Sequence, residues 1–202
     1  MEQPRNARPA QLSCGHCIRH PPAFTHTYAP LRYEFPVDLL IQRFKQRADY
    51  HSIELFSRLF AQQLPLATPE HPLPQQLIPV PLHLKRLRQR GFNQSLELAH
   101  SIGQRLNIGT NAGACSRVLD TPHQQGLSAK QRRRNLRHAF SVNAEQLDLS
   151  GYRHVALIDD VMTTGSTAQV LAKALRRAGI EQVDIWCLAR TAADRHRSDL
   201  RE

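Results

Sequence analysis

Apolar residues recur along this chain with two different periods. Between residues 37 and 64, Leu40, Ile41, Phe44, Ile53, Phe56, Leu59 and Phe60 fall at helical spacing, which predicts two helices broken near residues 48–51. Four prolines between residues 65 and 74 predict an extended linker. A short apolar run at 77–81, LIPVP, then reads as the first core strand, and residues 94–106 as an amphipathic helix. A second strand is expected near 115–119 and a minor one at 140–142. The run at 154–159 contains Val155, Ala156, Leu157 and Ile158 without interruption, as in a parallel strand covered on both faces. Residues 168–178 read as a helix and 183–188, VDIWCL, as the last strand. Strands separated by helices predict an α/β fold with a central, mostly parallel sheet flanked by helices. The chain divides into a Pro-, His- and Arg-rich segment 1–30, a helical cap with its linker at 31–75, and an α/β domain at 76–202.

The stretch 154–167, HVALIDDVMTTGST, carries the clearest chemistry. Asp159 and Asp160 stand at the end of the predicted strand. Thr163, Thr164, Gly165, Ser166 and Thr167 follow as a hydroxyl-rich glycine turn that opens a helix. Such a turn suits a phosphate, because unpaired N–H donors and the positive end of the helix dipole meet there. The carboxylates need another partner, since ionised carboxylates only accept hydrogen bonds and repel phosphate; sugar hydroxyls or a hard cation such as magnesium fit. The combination calls for a ribose flanked by phosphate, at the carboxyl end of a parallel sheet. A plain capping turn would explain the hydroxyls. It would not explain two acids directly after a buried strand, where desolvation demands partners. Neither GxGxxG nor GxxxxGK[ST] occurs, which argues against a dinucleotide fold or a P-loop ATPase.

Composition narrows the partners. The 202 residues are 41% hydrophobic, enough for a sizeable core, and carry no long apolar run or signal-peptide pattern, so the expected location is cytoplasmic. A formal charge of +10 favours polyanions, whether pyrophosphate esters or nucleic acid. Of four cysteines only Cys14 and Cys17 are close together, as CGHC, which is half a zinc site. A redox pair and the remnant of a longer finger are the other readings. Cys115 and Cys187, in apolar surroundings, read as small core residues.

Two further segments are strongly basic. HLKRLRQRGFNQ, residues 83–94, follows the first strand and holds Arg88, Arg90 and Gly91, read as the side that meets a pyrophosphate. Residues 121–140 hold Lys130, Arg132 and Arg133 and read as a mobile loop running into a short helix. Loops after successive parallel strands gather at one edge, so these segments and the acidic turn are expected to converge on one ligand.

Taken together, IPVPLHLKRLRQRGFNQ, TPHQQGLSAKQRRRNLRHAF and VALIDDVMTTGST resemble the ComF/GntX family, competence protein F-like homologues of type I phosphoribosyltransferases. The resemblance spans about residues 77–191. It implies a phosphoribosyltransferase-like fold for 76–202 and magnesium-dependent transfer of phosphoribose from phosphoribosyl pyrophosphate (PRPP) to an acceptor the sequence does not specify. Asp159 and Asp160 would contact the ribose hydroxyls as the catalytic pair, Thr163 to Thr167 would hold the 5-phosphate, and the RQRGFNQ segment would lie at the pyrophosphate. It also implies a link to competence or the use of extracellular DNA. Family members usually carry several N-terminal CxxC pairs on zinc; this chain has one, which leaves either a truncated start or a decayed finger. Two other classes stay open: a basic DNA-binding accessory of DNA uptake that retains the PRPP-type site without catalysis, and an assembly module that homo-oligomerises or docks through its N-terminal helices. Aromatics are only 6%, with Phe92 and Phe140 alone among the basic residues, which weakens the case for stacking on single-stranded DNA.

Overall fold

A computed structural model describes residues 15–47, 49–65, 67–69, 71–120, 138–147 and 151–192. A short helix α1 (Gly15–Arg19) precedes strands β1 (Thr27–Tyr28) and β2 (Leu31–Arg32). Helices α2 (Val37–Gln46) and α3 (Tyr50–Gln63) follow, then β3 (Gln76–Pro79), α4 (Leu84–Arg90) and α5 (Gln94–Leu106). The remainder is β4 (Gly109–Thr110), β5 (Cys115–Arg117), β6 (Phe140–Val142), β7 (His154–Met162), α6 (Ser166–Arg177) and β8 (Gln182–Arg190).

The expected break between α2 and α3 has a local cause. The Asp49 carboxylate accepts from His51 N at 3.1 Å and from Ser52 Oγ at 2.6 Å, so it caps a new helix. Asn93 does the same for α5, accepting from Ser95 N at 3.1 Å, and Asn107 closes that helix in the left-handed conformation at φ 56°.

The main sheet runs in the order β1, β8, β7, β3, β4, with β2 also on β8, and all of its pairings are parallel. Alternate residues of β7 explain its unbroken apolar run. Val155 and Leu157 pack into a core shared with Leu171, Ala172 and Leu175 of α6, whereas Ala156 and Ile158 pack against Phe44 of α2, Phe56 and Phe60 of α3, and Leu98 and Ile102 of α5. Residues 37–63 therefore form one layer with α5 on a face of the sheet.

Three details depart from the sequence reading. The first core strand is preceded by β1 and β2, whose residues carry no apolar periodicity because they pair only at the sheet edge. Residues 115–117 leave the main sheet and pair antiparallel with 140–142, while Val118 and Leu119 are exposed; the main-sheet neighbour of β3 is β4, a dipeptide with no hydrophobic signal. Finally, β7 continues past the two acids to Met162, where Val161 and Met162 still pair with Ala189 and Arg190. Among the described residues no helix is long and apolar enough to cross a membrane.

Candidate functional site

Connections leave β3 and β7 in opposite directions. From β3 the chain passes through α4 and α5 to β4 on one side; from β7 it passes through α6 to β8 on the other, and the two sets of helices lie on opposite faces. The carboxyl ends of β3 and β7 thus bound a topological switch point, the crevice where open α/β sheets bind ligands.

Asp159 and Asp160 lie at this crevice. Asp160 is only 4% exposed, and its Oδ1 sits 3.2 Å from Lys45 Nζ, delivered by the last turn of α2. Its other oxygen, Oδ2, is buried with no hydrogen-bond partner. Asp159 Oδ1 accepts from the Asp160 backbone N–H at 2.9 Å and from Ser95 Oγ at 3.3 Å. Burial and the neighbouring Asp160 charge push the Asp159 carboxyl up to about 7, against the opposing pull of that N–H, Lys45 and Ser95. Lys45 is within salt-bridge distance of Asp160, and Arg117 adds a longer-range attraction to Asp159. The carboxylate pair can take up a proton, hydroxyl donors or a divalent cation. Among the described residues no group of three or more His, Cys, Asp or Glu side chains is arranged to hold a metal. That donor set fits magnesium, which commonly binds through one or two carboxylates together with substrate phosphate oxygens.

The glycine turn is adjacent. Gly165 has φ 72°, a left-handed conformation that favours glycine; a Cβ there would meet only the flexible end of Met162, which can move aside. Thr163 and Thr164 are exposed, and Thr164 Oγ1 and Ser166 Oγ lie 2.9 Å apart. Ser166 N donates to Thr164 Oγ1 at a long 3.4 Å. α6 begins at Ser166 without a side-chain cap on Gly165, so its first turn offers N–H groups to solvent beside Thr167.

The segment after β3 converges on the same point. Val80 N donates to Ile158 O at 2.9 Å, and Asn93 Nδ2 donates to Val80 O at 3.2 Å while its Oδ1 caps α5. These bonds seat Ser95 against Asp159. Gly91 ends α4 at φ 83°, and Arg90 Nη1 donates to Gln94 Oε1 at 2.5 Å, next to Ser95 in the chain. Arg88 stands in the same last helical turn. Lys85, Arg86 and His83 instead gather 3.9–4.0 Å from Asp120. Lys130, Arg132 and Arg133 lie outside the described residues, as does Cys14; Cys17 falls in α1. Cys115 and Cys187 are buried in the core, where burial pushes both thiols up to about 12.

Three participants were not picked out from sequence. Lys45 sits in a helix read as a peripheral cap, with only its basic last-turn position as a signal. Ser95 was read as part of the amphipathic helix 94–106 and Asn93 as part of the RQRGFNQ segment on the pyrophosphate side, and neither reading reaches the carboxylate beyond.

No family model matches the chain. It is 38% identical over 179 residues to "Competence protein F" of Haemophilus influenzae, covering 88% of this chain and 78% of the relative. It is 37% identical over 184 residues to the "DNA utilization protein YhgH" of Escherichia coli O157:H7, covering 90% and 79%. The Salmonella typhi protein of the same name is 35% identical over 182 residues, covering 89% and 78%. Among solved structures, a purine phosphoribosyltransferase from Pyrococcus horikoshii aligns over 76% of this chain and 95% of its own at 15% identity, with a TM-score of 0.35, too low to bear on the argument. Its sequence identities over nearly nine-tenths of its length show that the chain belongs to the competence protein F family.

Proposed function

We propose that the protein binds PRPP at the carboxyl edge between β3 and β7 and transfers its phosphoribosyl group to an acceptor. The observation that carries this reading is the buried, unpartnered Oδ2 of Asp160 beside an Asp159 whose ionisation is resisted, at the mouth of a helix-opening turn. When ionised, the two carboxylates would accept hydrogen bonds from vicinal ribose hydroxyls. Thr163 to Thr167, which lead into α6, would hold the 5-phosphate at that helix's N-terminus. Arg88 and Arg90 follow β3 on the side assigned to pyrophosphate, where planar guanidinium groups stabilise the charge that develops as the C1–O bond breaks. Magnesium, held through Asp159, Asp160 and the ligand's phosphate oxygens, would supply further charge neutralisation. In this scheme Ser95 and Lys45 orient the two carboxylates. Titration calorimetry with PRPP and magnesium tests the reading: binding heat from the native chain, lost in Asp159→Asn plus Asp160→Asn, is expected, and no heat from the native chain would overturn it.

A second reading has its own observation, the formal charge of +10. On it, and on the relatives' names, the chain is a basic accessory of DNA use that keeps the PRPP site without catalysis. Affinity for single-stranded DNA that falls steeply with salt would support this reading; affinity that is flat with salt would remove it.

A further inference from the structure

The amino edge of the sheet, opposite the carboxylate pair, holds a second concavity of about 140 Å³. Gln182, Asp184 and Trp186 of β8 line it at alternate positions, hence from one face of that strand. Its apolar wall is Trp186 with Leu73 and the prolines of the segment before β3; its polar wall is Asp184, His26, Tyr28, His71 and Gln182. Asp184 pairs with Ala156 in the β7–β8 register, three residues before the Cys187 that pairs with Asp159. Three strand residues amount to about 10 Å, so the Asp184 wall stands that far along the strand from the carboxylate pair, while Trp186 pairs with Ile158, the residue before Asp159.

The polar wall is built and oriented. Asp184 Oδ1 accepts from the His26 backbone N–H at 3.1 Å and faces His26 Nδ1 at 3.2 Å, while its Oδ2 lies 2.9 Å from His154 Nε2. A carboxylate only accepts, so His26 carries its proton on Nδ1, and in the neutral ring Nε2 is left as an acceptor. The His26 backbone is itself pinned, with Ile185 N donating to His26 O at 2.8 Å. The His71 ring meets that of His26 edge-on, 5.2 Å between centroids. Two lining residues hold polar atoms that are buried without a partner: Tyr28 Oη and His71 Nδ1. Burial pushes the Tyr28 phenol up to about 12, so it remains a donor at neutral pH. Orphaned groups of this kind are destabilising unless something pairs with them.

Size and charge then select the ligand class. A cavity of about 150 Å³ takes up one benzene ring in an engineered protein, so this one has room for a single six-membered ring. No lysine or arginine is among the described lining residues, which disfavours any phosphate, and a carboxylate in the wall disfavours other anions. Donor and acceptor groups stand on one side and planar apolar groups on the other. We infer that the cavity is a binding site for an uncharged six-membered heterocycle bearing neighbouring N–H and C=O groups, the chemistry of a cyclic amide or a free pyrimidine base. It recognises the ring's polar edge through Tyr28, His71 and the Asp184-oriented His26, and its face through Trp186 and the prolines.

The test uses the full chain with uracil as probe, followed by saturation-transfer NMR and calorimetry, with ribose 5-phosphate as a competitor. Uracil is expected to bind, to resist competition by ribose 5-phosphate, and to bind equally to the Asp159→Asn plus Asp160→Asn variant. Tyr28→Phe keeps the ring that meets Phe60 edge-on at 4.9 Å and removes only the hydroxyl. It and His71→Ala should each weaken binding about fivefold, the value of one neutral hydrogen bond. Absence of uracil binding overturns the inference. So does binding that the aspartate variant abolishes, or that both Tyr28→Phe and His71→Ala leave unchanged. Loss of PRPP binding with retained uracil binding would overturn the proposed function alone.

Discussion

Replacing Lys45 with methionine removes the ammonium that stands 3.2 Å from Asp160 Oδ1 while keeping much of the apolar stem that spans from α2. Breaking a fully buried pair by deleting one partner costs about 3–5 kcal/mol. The Lys45 side chain is 30% exposed, so water reaches the ammonium and the loss should be smaller, about 1–3 kcal/mol at pH 8. In a chain of this length each kcal/mol lowers Tm by about 2–4 °C. The penalty should depend on pH in a defined direction. Asp159 titrates near 7 in the folded protein, above the ordinary value of about 3.9 expected when unfolded. Between those values the folded state binds more protons than the unfolded one, so stability falls as pH rises through the window. Without Lys45 the pair holds its proton more tightly still, and the window over which stability falls extends to higher pH. At pH 5.5 Asp159 is protonated with or without Lys45, so only the lost partner of Asp160 counts and the loss should be smaller than at pH 8. Urea unfolding followed by circular dichroism at pH 5.5 and pH 8 measures both numbers. An equal loss at the two pH values would mean that Lys45 contributes packing alone and would refute the charge argument; no loss at either would refute the contact.

The turn and the cap provide two more checks. Gly165→Ala forces a side chain into the left-handed region, so a loss of about 1–2 kcal/mol is expected in thermal unfolding, with weakened PRPP binding by calorimetry. Asn93→Ala removes the α5 cap and the tie to Val80 O, for an expected loss of about 0.5–2 kcal/mol. Because Asn93 also seats Ser95, its PRPP affinity should fall further than that of a variant at an exposed α5 position such as His100→Ala.

What could be read from the chain follows the reach of each signal. The continuous apolar run 155–158 announced a strand buried on both faces, and the two cores on either side of β7 are its cause. The helix of 94–106 was legible to the residue, because amphipathic spacing is a local signal. β4 was illegible: Gly109 and Thr110 enter the sheet through backbone pairing with Gln76 and Leu77, which leaves no trace in side-chain pattern. The acidic pair and glycine turn are contiguous and stood out as a unit. Lys45 lies 115 positions before Asp160, and only tertiary packing of α2 brings them together. The same holds for Ser95 and Asp159. The cavity at the amino edge draws on residues 26, 28, 71 and 184, scattered over most of the chain, so no local motif could mark it.

One feature of the sheet bears on the behaviour of the protein in concentrated solution. β8 spans nine residues and is among the longest strands described, and its outer edge is covered by β1 and β2 rather than by one strand of matching length. Ala29 and Pro30 interrupt that cover, and Pro30 has no N–H to offer. A second molecule meeting this edge therefore finds two dipeptides and a proline instead of a continuous ladder, and strand-to-strand polymerisation has no template there.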